Sequence, residues 1–338
     1  MNREEQVPLA APESSCDPTE EFEYLVPGAA RDHEMANHPL TIDDQILQSS
    51  AIHDVLTKAL KALRFRWYGL AISGESRAGK SWAIRALIAM LRRELPLMPI
   101  FETEAVPHDD LSEKVLWGDV CDSFGLQEWR RLTAAERRTR LVDHIAASAR
   151  QNDQRIAVLF VDEAQNWKAH QWRYLKGLVN VLRKKPYRIH VLVISFGQTS
   201  LANVRDDISK IADKGADLIK RFLRKLHPFQ PIRTRLELEG ILEQLDDPDL
   251  TEYPEESGVC YTRFFLPVAY AAGWRLKTQT KYVWAALRGM AKEDGEINMC
   301  NLVGLLRQFF HETEDSPTLK TSLKGWKAAL ATSLEESD

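Results

Sequence analysis

The sequence predicts an α/β fold in which helices flank a parallel sheet and a small all-helical domain follows. Three observations support this. Strand and helix patterns alternate through residue 230, as in parallel sheets with crossover helices. One apolar strand leads directly into a Gly-rich loop at residues 69–81, and another, at 156–161, ends in two carboxylates. Beyond Pro231 only helical patterns occur, so the helical domain is expected on the C-terminal side.

The element order follows from hydrophobic spacing. A leading helix is expected from about Leu40, with Thr41 in its first turn. The strands are expected at 68–73, 97–101, 156–162 and 189–195. Further helices are expected at 81–93, 111–124, 134–150, 169–183, 233–245, 261–271, 276–292 and 298–311. The predicted organisation is a flexible tail at 1–35, an α/β base at 36–230, a helical lid at 231–312 and a polar tail at 313–338.

The loop at residues 74–81 has the spacing G-x-x-x-x-G-K-S between a strand and a helix, which is typical of a phosphate-binding P-loop. Gly74 and Gly79 allow backbone N–H groups to turn inward, and the following helix begins with its positive end towards the anion. Lys80 is expected at the β- and γ-phosphates, and the Ser81 hydroxyl at Mg²⁺. The predicted nucleotide contacts are Gly74, Glu75, Ser76, Arg77, Ala78, Gly79, Lys80, Ser81 and Trp82.

The buried strand at 156–161 supplies the second half of the predicted site. It ends in Asp162 and Glu163, at the edge of the sheet where open α/β folds bind ligands. Asp162 suits the Mg²⁺ shell, and Glu163 suits polarisation of the water that attacks the γ-phosphate. Together with the P-loop, this pair predicts an ATPase that uses ATP and Mg²⁺.

Composition limits the other functional classes. The chain of 338 residues is 44% hydrophobic and 28% charged, with a formal net charge of −4. Any nucleic-acid site must therefore be a local basic patch or arise in an oligomer. The four cysteines have no C-x-x-C spacing, and no apolar run approaches the length that spans a bilayer. These features predict a cytoplasmic protein with reduced thiols and no membrane contact.

Three further segments occur in the order found in AAA+ ATPases, which the sequence resembles. The strand at 191–195 and the polar residues after it resemble sensor-1, so Ser195, Gln198 or Thr199 would hold the attacking water; the alternative is that Thr199 or Ser200 caps the next helix. The segment 217–226 resembles the stretch that carries an arginine finger, with Arg221 as the better match and Arg224 as the second choice. Arg275 resembles a sensor-2 arginine. The resemblance implies an AAA+ P-loop NTPase with a small helical lid that works as an oligomer.

Within AAA+ ATPases, the sequence resembles transposition regulators of the TnsC/TniB type over about residues 40–312. The resemblance depends on the P-loop, residues 161–165, 195–199 and 220–222, and a lid with no DNA-binding domain after it. It implies a ring or helical filament on double-stranded DNA, a transposase, a target-selection protein and a role in DNA recombination. The candidate DNA contacts are Arg130, Arg131, Arg137, Arg183, Lys184 and Lys185.

Two other functions remain open from the sequence. A helicase loader or replication initiator would use the same ATPase, but initiators generally carry a winged-helix domain after the lid, and residues 313–338 are too few for one. A nucleotide-gated scaffold without DNA binding would suit the acidic net charge. DNA binding with and without an ATP analogue distinguishes the scaffold from the transposition regulator.

Overall fold

Five parallel strands form one sheet in the order β2-β3-β4-β1-β5. The computed structural model describes residues 22–151, 154–211, 214–289, 297–313, 319 and 321–335. The strands are β1 (Gly69–Gly74), β2 (Ile100–Glu104), β3 (Ile156–Asp162), β4 (His190–Gln198) and β5 (Leu226–Pro228).

The helices that flank and follow the sheet are α1 (Ala29–Asn37), α2 (Ser50–Arg64), α3 (Lys80–Glu94), α4 (Glu113–Ser123), α5 (Ala134–Ala149), α6 (Ala169–Arg183), α7 (Leu201–Ser209), α8 (Lys214–Phe222), α9 (Arg235–Leu245), α10 (Tyr261–Phe265), α11 (Pro267–Ala271), α12 (Thr280–Arg288), α13 (Met299–Thr313) and α14 (Leu323–Glu335). Short 3-10 turns occur at Glu23–Leu25, Ala164–Asn166 and Leu276–Gln279. The predicted fold class is confirmed: a parallel sheet lies between helices, and the elements that follow it in the described ranges are helical, with two isolated β-bridges.

The central strands are apolar because both faces of the sheet are covered. Every residue of β3 is buried, and so are the first eight residues of β4. Two hydrophobic clusters, one on each side, contain residues of α2 and α3 and of α4 to α8 respectively. Since all strands are parallel, the carboxyl ends of β1, β3 and β4 lie at one edge of the sheet, and this edge receives the candidate site.

Several predicted boundaries are wrong for local reasons. The leading helix begins at Ser50, not near Leu40, because Ser49 caps it by accepting a hydrogen bond from the Ile52 N–H. Residues 39–43 form a turn instead. Strand β2 begins at Ile100, after Pro99, and not at Leu97. Strand β5 has only three residues, too few to give a recognisable pattern in the sequence.

Both predicted tails are partly wrong, because parts of them pack into the helical domain. A third hydrophobic cluster is formed by α9, α10, α12 and α13 of the helical domain. It also contains Leu25, Leu40 and Leu47 from the N-terminal side and Trp326 and Leu330 of α14. Residues 22–35 therefore contain a 3-10 turn and most of α1, where a tail was expected. Residues 1–21 and 336–338 lie outside the described part of the chain.

None of the helices in the described ranges is both long and apolar enough to cross a bilayer. Of the cysteines in those ranges, Cys121 and Cys260 are buried and Cys300 is exposed, all as free thiols. Cys16 falls in the part of the chain that is not described.

Candidate active site

The P-loop connects β1 to α3 and requires glycine at both ends, at Gly74 for lack of space and at Gly79 also for its backbone conformation. A Cβ on Gly74 would lie 2.9 Å from the Phe229 carbonyl oxygen. Gly79 has φ of +92°, and a Cβ there would lie 2.9 Å from the Met299 Cβ. Arg77 also has a positive φ of 61°, which is unfavourable for a side chain of this size. No side chain caps α3 at Gly79, so its first-turn N–H groups remain free to bind an anion.

Lys80 is buried in the loop, with a relative exposure of 5%. Its Nζ donates to the carbonyl oxygen of Glu75 at 2.6 Å and to that of Gly74 at 3.4 Å. Burial lowers the pKa of Lys80, and the negative charges of Glu163 and Asp162 oppose this shift. The ammonium group therefore bonds to the carbonyls of the loop itself, and an entering phosphate would compete for it.

Ser81 and Asp162 are brought together as the sequence predicts. The Ser81 Oγ donates to Asp162 Oδ2 at 2.7 Å. Burial raises the pKa of the Asp162 carboxyl, while hydrogen bonds from Ser81 and from the Glu163 N–H oppose the shift. Two adjacent oxygen ligands suit Mg²⁺, which typically takes one or two protein oxygens and completes its shell with phosphates and water. The residues present thus fit Mg²⁺.

Glu163 lies just beyond β3 in the left-handed region, with φ of 48°. Its Oε2 accepts hydrogen bonds from the side-chain amide of Gln165 and, at 3.3 Å, from Gln198 Nε2. The Gln198 N–H in turn donates to Gln165 Oε1 at 2.8 Å. Gln198, a predicted sensor-1 candidate, therefore contacts the predicted base. No role is predicted for Gln165 from the sequence, although Gln165 belongs to the 161–165 motif.

The other sensor-1 candidates are placed differently. Strand β4 continues to Gln198, so Ser195 lies inside the strand and not at its end as expected. Ser195 is buried, and its hydroxyl has no hydrogen-bond partner among the described residues. Thr199 is exposed. Ser200 occupies the N-cap position of α7, but its side chain makes no capping bond.

An open cleft of about 230 Å³ brings the loop and the acidic edge together. Seven predicted residues line it: Ser76, Arg77, Gly79, Lys80, Ser81, Trp82 and Glu163. Asp43, Arg85 and Cys300 also line it and were not predicted. Arg85 donates to the Asp43 carbonyl at 2.6 Å, and Arg307 of α13 pairs with the Asp43 carboxylate at 2.8 Å. No sequence pattern indicates Asp43, Arg85 or Cys300, because tertiary contacts bring them to the cleft.

The two finger candidates have different environments. Arg221 donates to Asn180 at 2.8 Å and to Asp217 at 3.3 Å, and its guanidinium lies 5.2 Å from the centre of the Tyr68 ring. Arg224 lies beyond the end of α8 and is exposed. The preferred candidate, Arg221, is thus held within its own subunit, whereas Arg224 is accessible to a neighbour.

Arg275 does not line the cleft. Its guanidinium donates to the carbonyl oxygens of Tyr270 and Trp274, both at 2.8 Å, and stacks on the Tyr270 ring at 3.6 Å. The residues of the helical domain that reach the P-loop are at the start of α13, where Met299 faces Gly79 and Cys300 lines the cleft. In this structure Arg275 is therefore a local packing residue of the helical domain.

The candidate DNA contacts divide into exposed residues and one buried residue. Arg130, Arg131, Arg183, Lys184 and Lys185 are exposed. Arg137 is only 5% exposed; it donates to the carbonyls of Lys114, Leu132 and Arg130. The Arg137 guanidinium is thus committed to holding the loop before α5, and phosphate contact there would break these bonds.

Comparison with known proteins supports the fold. Residues 67–204, somewhat less than half of the chain, match a family model described as AAA domain. No curated protein matches the sequence. Two structures of the Aeropyrum pernix ORC2 protein, as ADPNP–ADP complexes and in the ADP form, align with TM-scores of 0.51 and 0.50 at 15% identity. The alignments cover 83% and 82% of this chain, and in both cases 66% of the other, just under two thirds of its length.

Domain III of the Thermotoga maritima replication initiation protein DnaA aligns at a TM-score of 0.46 with 13% identity, covering 87% of this chain and 96% of that one. At these identities the ORC2 structures establish the fold alone. Residues 67–204 match the AAA domain model, and the chain has the AAA+ P-loop fold with helices following the sheet.

Proposed function

We propose that this protein is a Mg²⁺-dependent ATPase that assembles on double-stranded DNA and regulates transposition by recruiting or activating a transposase. The observation that carries the ATPase is the arrangement at the sheet edge. Ser81 and Asp162 share a hydrogen bond, and Glu163 is held by two side-chain amides beside a P-loop. The transposition role is supported by the resemblance of residues 161–165 and 195–199 to regulators of the TnsC/TniB type.

The residues have separable roles in hydrolysis. The triphosphate binds to the free N–H groups of the loop and of α3, and Lys80 leaves the Glu75 carbonyl to contact the β- and γ-phosphates. Mg²⁺, when bound by Ser81 and Asp162, supplies positive charge to the phosphate oxygens. Glu163 accepts a proton from the attacking water, and Gln198 orients that water or the carboxylate.

The site is completed by a second copy of the chain. Arg224 is exposed beyond α8, and no side-chain bond to the described residues would have to break for it to contact a neighbouring site. An arginine supplied in this way raises hydrolysis by about three to five powers of ten in other nucleotide hydrolases. Slow turnover of the isolated subunit is therefore expected, with assembly as the activating step and hydrolysis as the timer of disassembly.

DNA would bind through local basic residues, since the net charge of −4 gives no general attraction. The exposed residues Arg130 and Arg131 and the exposed run 183–185 are the proposed phosphate contacts. Such contacts position a protein on the duplex and carry little sequence information. Target choice would then come from a separate target-selection protein.

A replication-type loader or initiator is the second candidate. The observation behind it is the fold shared with the Aeropyrum pernix ORC2 protein. Insertion frequency of a transposable element and replication of a plasmid, each measured in cells that express this protein, separate the two. The Glu163→Gln variant is expected to lower insertion and leave replication unchanged. The reverse result would establish the loader.

The ATPase and the assembly are tested together with fluorescently labelled duplex DNA. Anisotropy is measured with and without a non-hydrolysable ATP analogue at two salt concentrations. ATP-dependent binding that weakens steeply with salt supports assembly on DNA. Nucleotide-dependent oligomers that form equally without DNA would instead establish a scaffold. Arg224→Ala should lower turnover without weakening ATP binding, whereas a loss of binding would show that Arg224 acts within its own site.

A further inference from the structure

A second cavity adjoins the phosphate cleft and lies between the α/β base and the helical domain. The two share Gly79 and Trp82. The cavity walls are mainly apolar, with Leu47, Ile52, Ala78, Phe229 and Met299 among them. The free space in the cavity is about 20 Å³, so a flat group enters only if α13 moves away from the loop. Because the cavity adjoins the cleft at Gly79 and Trp82, a molecule whose phosphates lie on the P-loop would extend its apolar part towards it.

Gln45 is the unusual residue in the cavity lining. It is 2% exposed, and neither its Oε1 nor its Nε2 has a hydrogen-bond partner among the described residues. A buried amide without partners is costly, and almost all buried polar groups in proteins are paired. The fold thus keeps one donor and one acceptor unused beside a cavity whose other lining residues are mainly apolar, with Ser49, Ser50, Gln230 and Glu237 as the other polar ones.

The segment that carries Gln45 is held in place by the helical domain. Gln244 of α9 accepts from the Gln48 N–H at 2.8 Å and donates to the Gln48 carbonyl at 2.7 Å. Ser50 also donates to Glu237 at the start of α9. These bonds fix the chain three to five residues after Gln45, so its amide is positioned before any ligand binds.

We propose that the Gln45 amide binds the base of the nucleoside triphosphate, a role that rests on the nucleotide-binding function proposed above. Adenine presents an amino donor next to a ring-nitrogen acceptor. Oε1 accepts from the exocyclic amino group, and Nε2 donates to the ring nitrogen, the two-bond pairing that glutamine makes with adenine elsewhere. The apolar walls cover the faces of the base. Gln45 is thus the residue that recognises the base in this chain.

Three ligands test the proposal on the full-length protein: ATP, purine riboside triphosphate, which lacks the 6-amino group, and inorganic tripolyphosphate. The wild type should bind ATP about tenfold more tightly than the purine analogue, because the analogue leaves Oε1 unpaired. Gln45→Leu should bind ATP about tenfold more weakly than the wild type and should no longer distinguish ATP from the analogue. Tripolyphosphate should bind equally to both proteins, and the same substitution at exposed Gln127 is the matched control.

The outcomes separate the two proposals. If no ligand binds, tripolyphosphate included, the nucleotide function itself fails and the role of Gln45 falls with it. If ATP binds but Gln45→Leu keeps the wild-type preference over the analogue, the P-loop function stands and the role of Gln45 is overturned. If Gln45→Leu does not fold, the wild type alone decides, since equal affinity for ATP and the analogue contradicts the proposal.

Discussion

The phosphate cleft and the adjoining cavity are stabilised in different ways. In the cleft, Lys80 bonds to Glu75 and Glu163 to Gln165, near neighbours in the chain, and the Ser81–Asp162 bond joins the P-loop to β3. In the cavity, contacts join distant segments, such as Met299 with Gly79 and Gln244 with Gln48. The cleft, the phosphate half of the site, therefore depends on single charged side chains. The cavity with the helical domain around it, the packed half, depends on packing of that domain, including its N- and C-terminal segments. Substitutions in each half test this difference.

Lys80→Ala should have the largest effect and should affect only the phosphate half. The variant loses the buried ammonium that contacts the triphosphate, so ATP binding is expected to be undetectable, a loss of at least about a thousandfold. Isothermal titration with ATP and Mg²⁺ measures this, and Lys61→Ala, an exposed change on α2, is the control. ATP affinity within tenfold of the wild type would show that the P-loop does not hold the phosphates.

Trp326→Ala should act on the packed half. Trp326 is fully buried in α14, and its ring stacks on Phe309 of α13 at a centroid distance of 3.7 Å. Its removal leaves a cavity and should lower the free energy of unfolding by about 3–5 kcal/mol. Urea denaturation measures the loss, with Trp67→Ala, which is 39% exposed, as the control. A loss no larger than that of the control would mean that α14 does not belong to the core.

Glu163→Gln should separate binding from chemistry within the phosphate half. The variant keeps the side-chain size and an acceptor for the Gln198 amide but loses the group that takes a proton from water. Turnover should fall by about a hundredfold to a thousandfold with ATP affinity unchanged. Steady-state phosphate release on DNA measures turnover, with Glu94→Gln, an exposed change at the end of α3, as the control. Unchanged turnover would remove Glu163 as the base.

Most of the phosphate half was predictable from the sequence because its residues fall in two short contiguous segments. The pattern of residues 69–82 indicates a strand, a turn and a helix start, and Asp162 and Glu163 lie at the end of β3 at the same sheet edge. Asp43, Gln45 and Cys300 carry no such pattern, since only the folded chain brings them to the P-loop. The same reason explains the tails: Leu25 and Trp326 lie in polar stretches, and their burial depends on contacts with residues far along the chain.

Acid should weaken the packing of the N-terminal segment and have a smaller effect than the substitutions above. His38 is fully buried against four aromatic rings, those of Tyr253, Tyr261, Phe264 and Phe265. Its Nδ1 accepts from the Leu40 N–H at 3.1 Å, so a proton on Nδ1 would replace this bond with a repulsive contact. Burial lowers the pKa of His38 to about 3 from the ordinary value of 6.5.

The unfolded chain therefore binds a proton to His38 below about pH 6.5 while the folded chain does not, and stability falls as the pH falls. Between pH 7 and pH 5 this residue should remove about 2 kcal/mol from the free energy of unfolding. His38→Phe loses the bond to the Leu40 N–H at every pH but should lack this pH dependence. The difference in the free energy of unfolding between the wild type and His38→Phe should therefore narrow in acid. Urea denaturation at each pH measures both, and parallel curves would mean that His38 is protonated in the fold or accessible to water. In that case the N-terminal segment would not be packed into the helical domain, and the packed half would not depend on it.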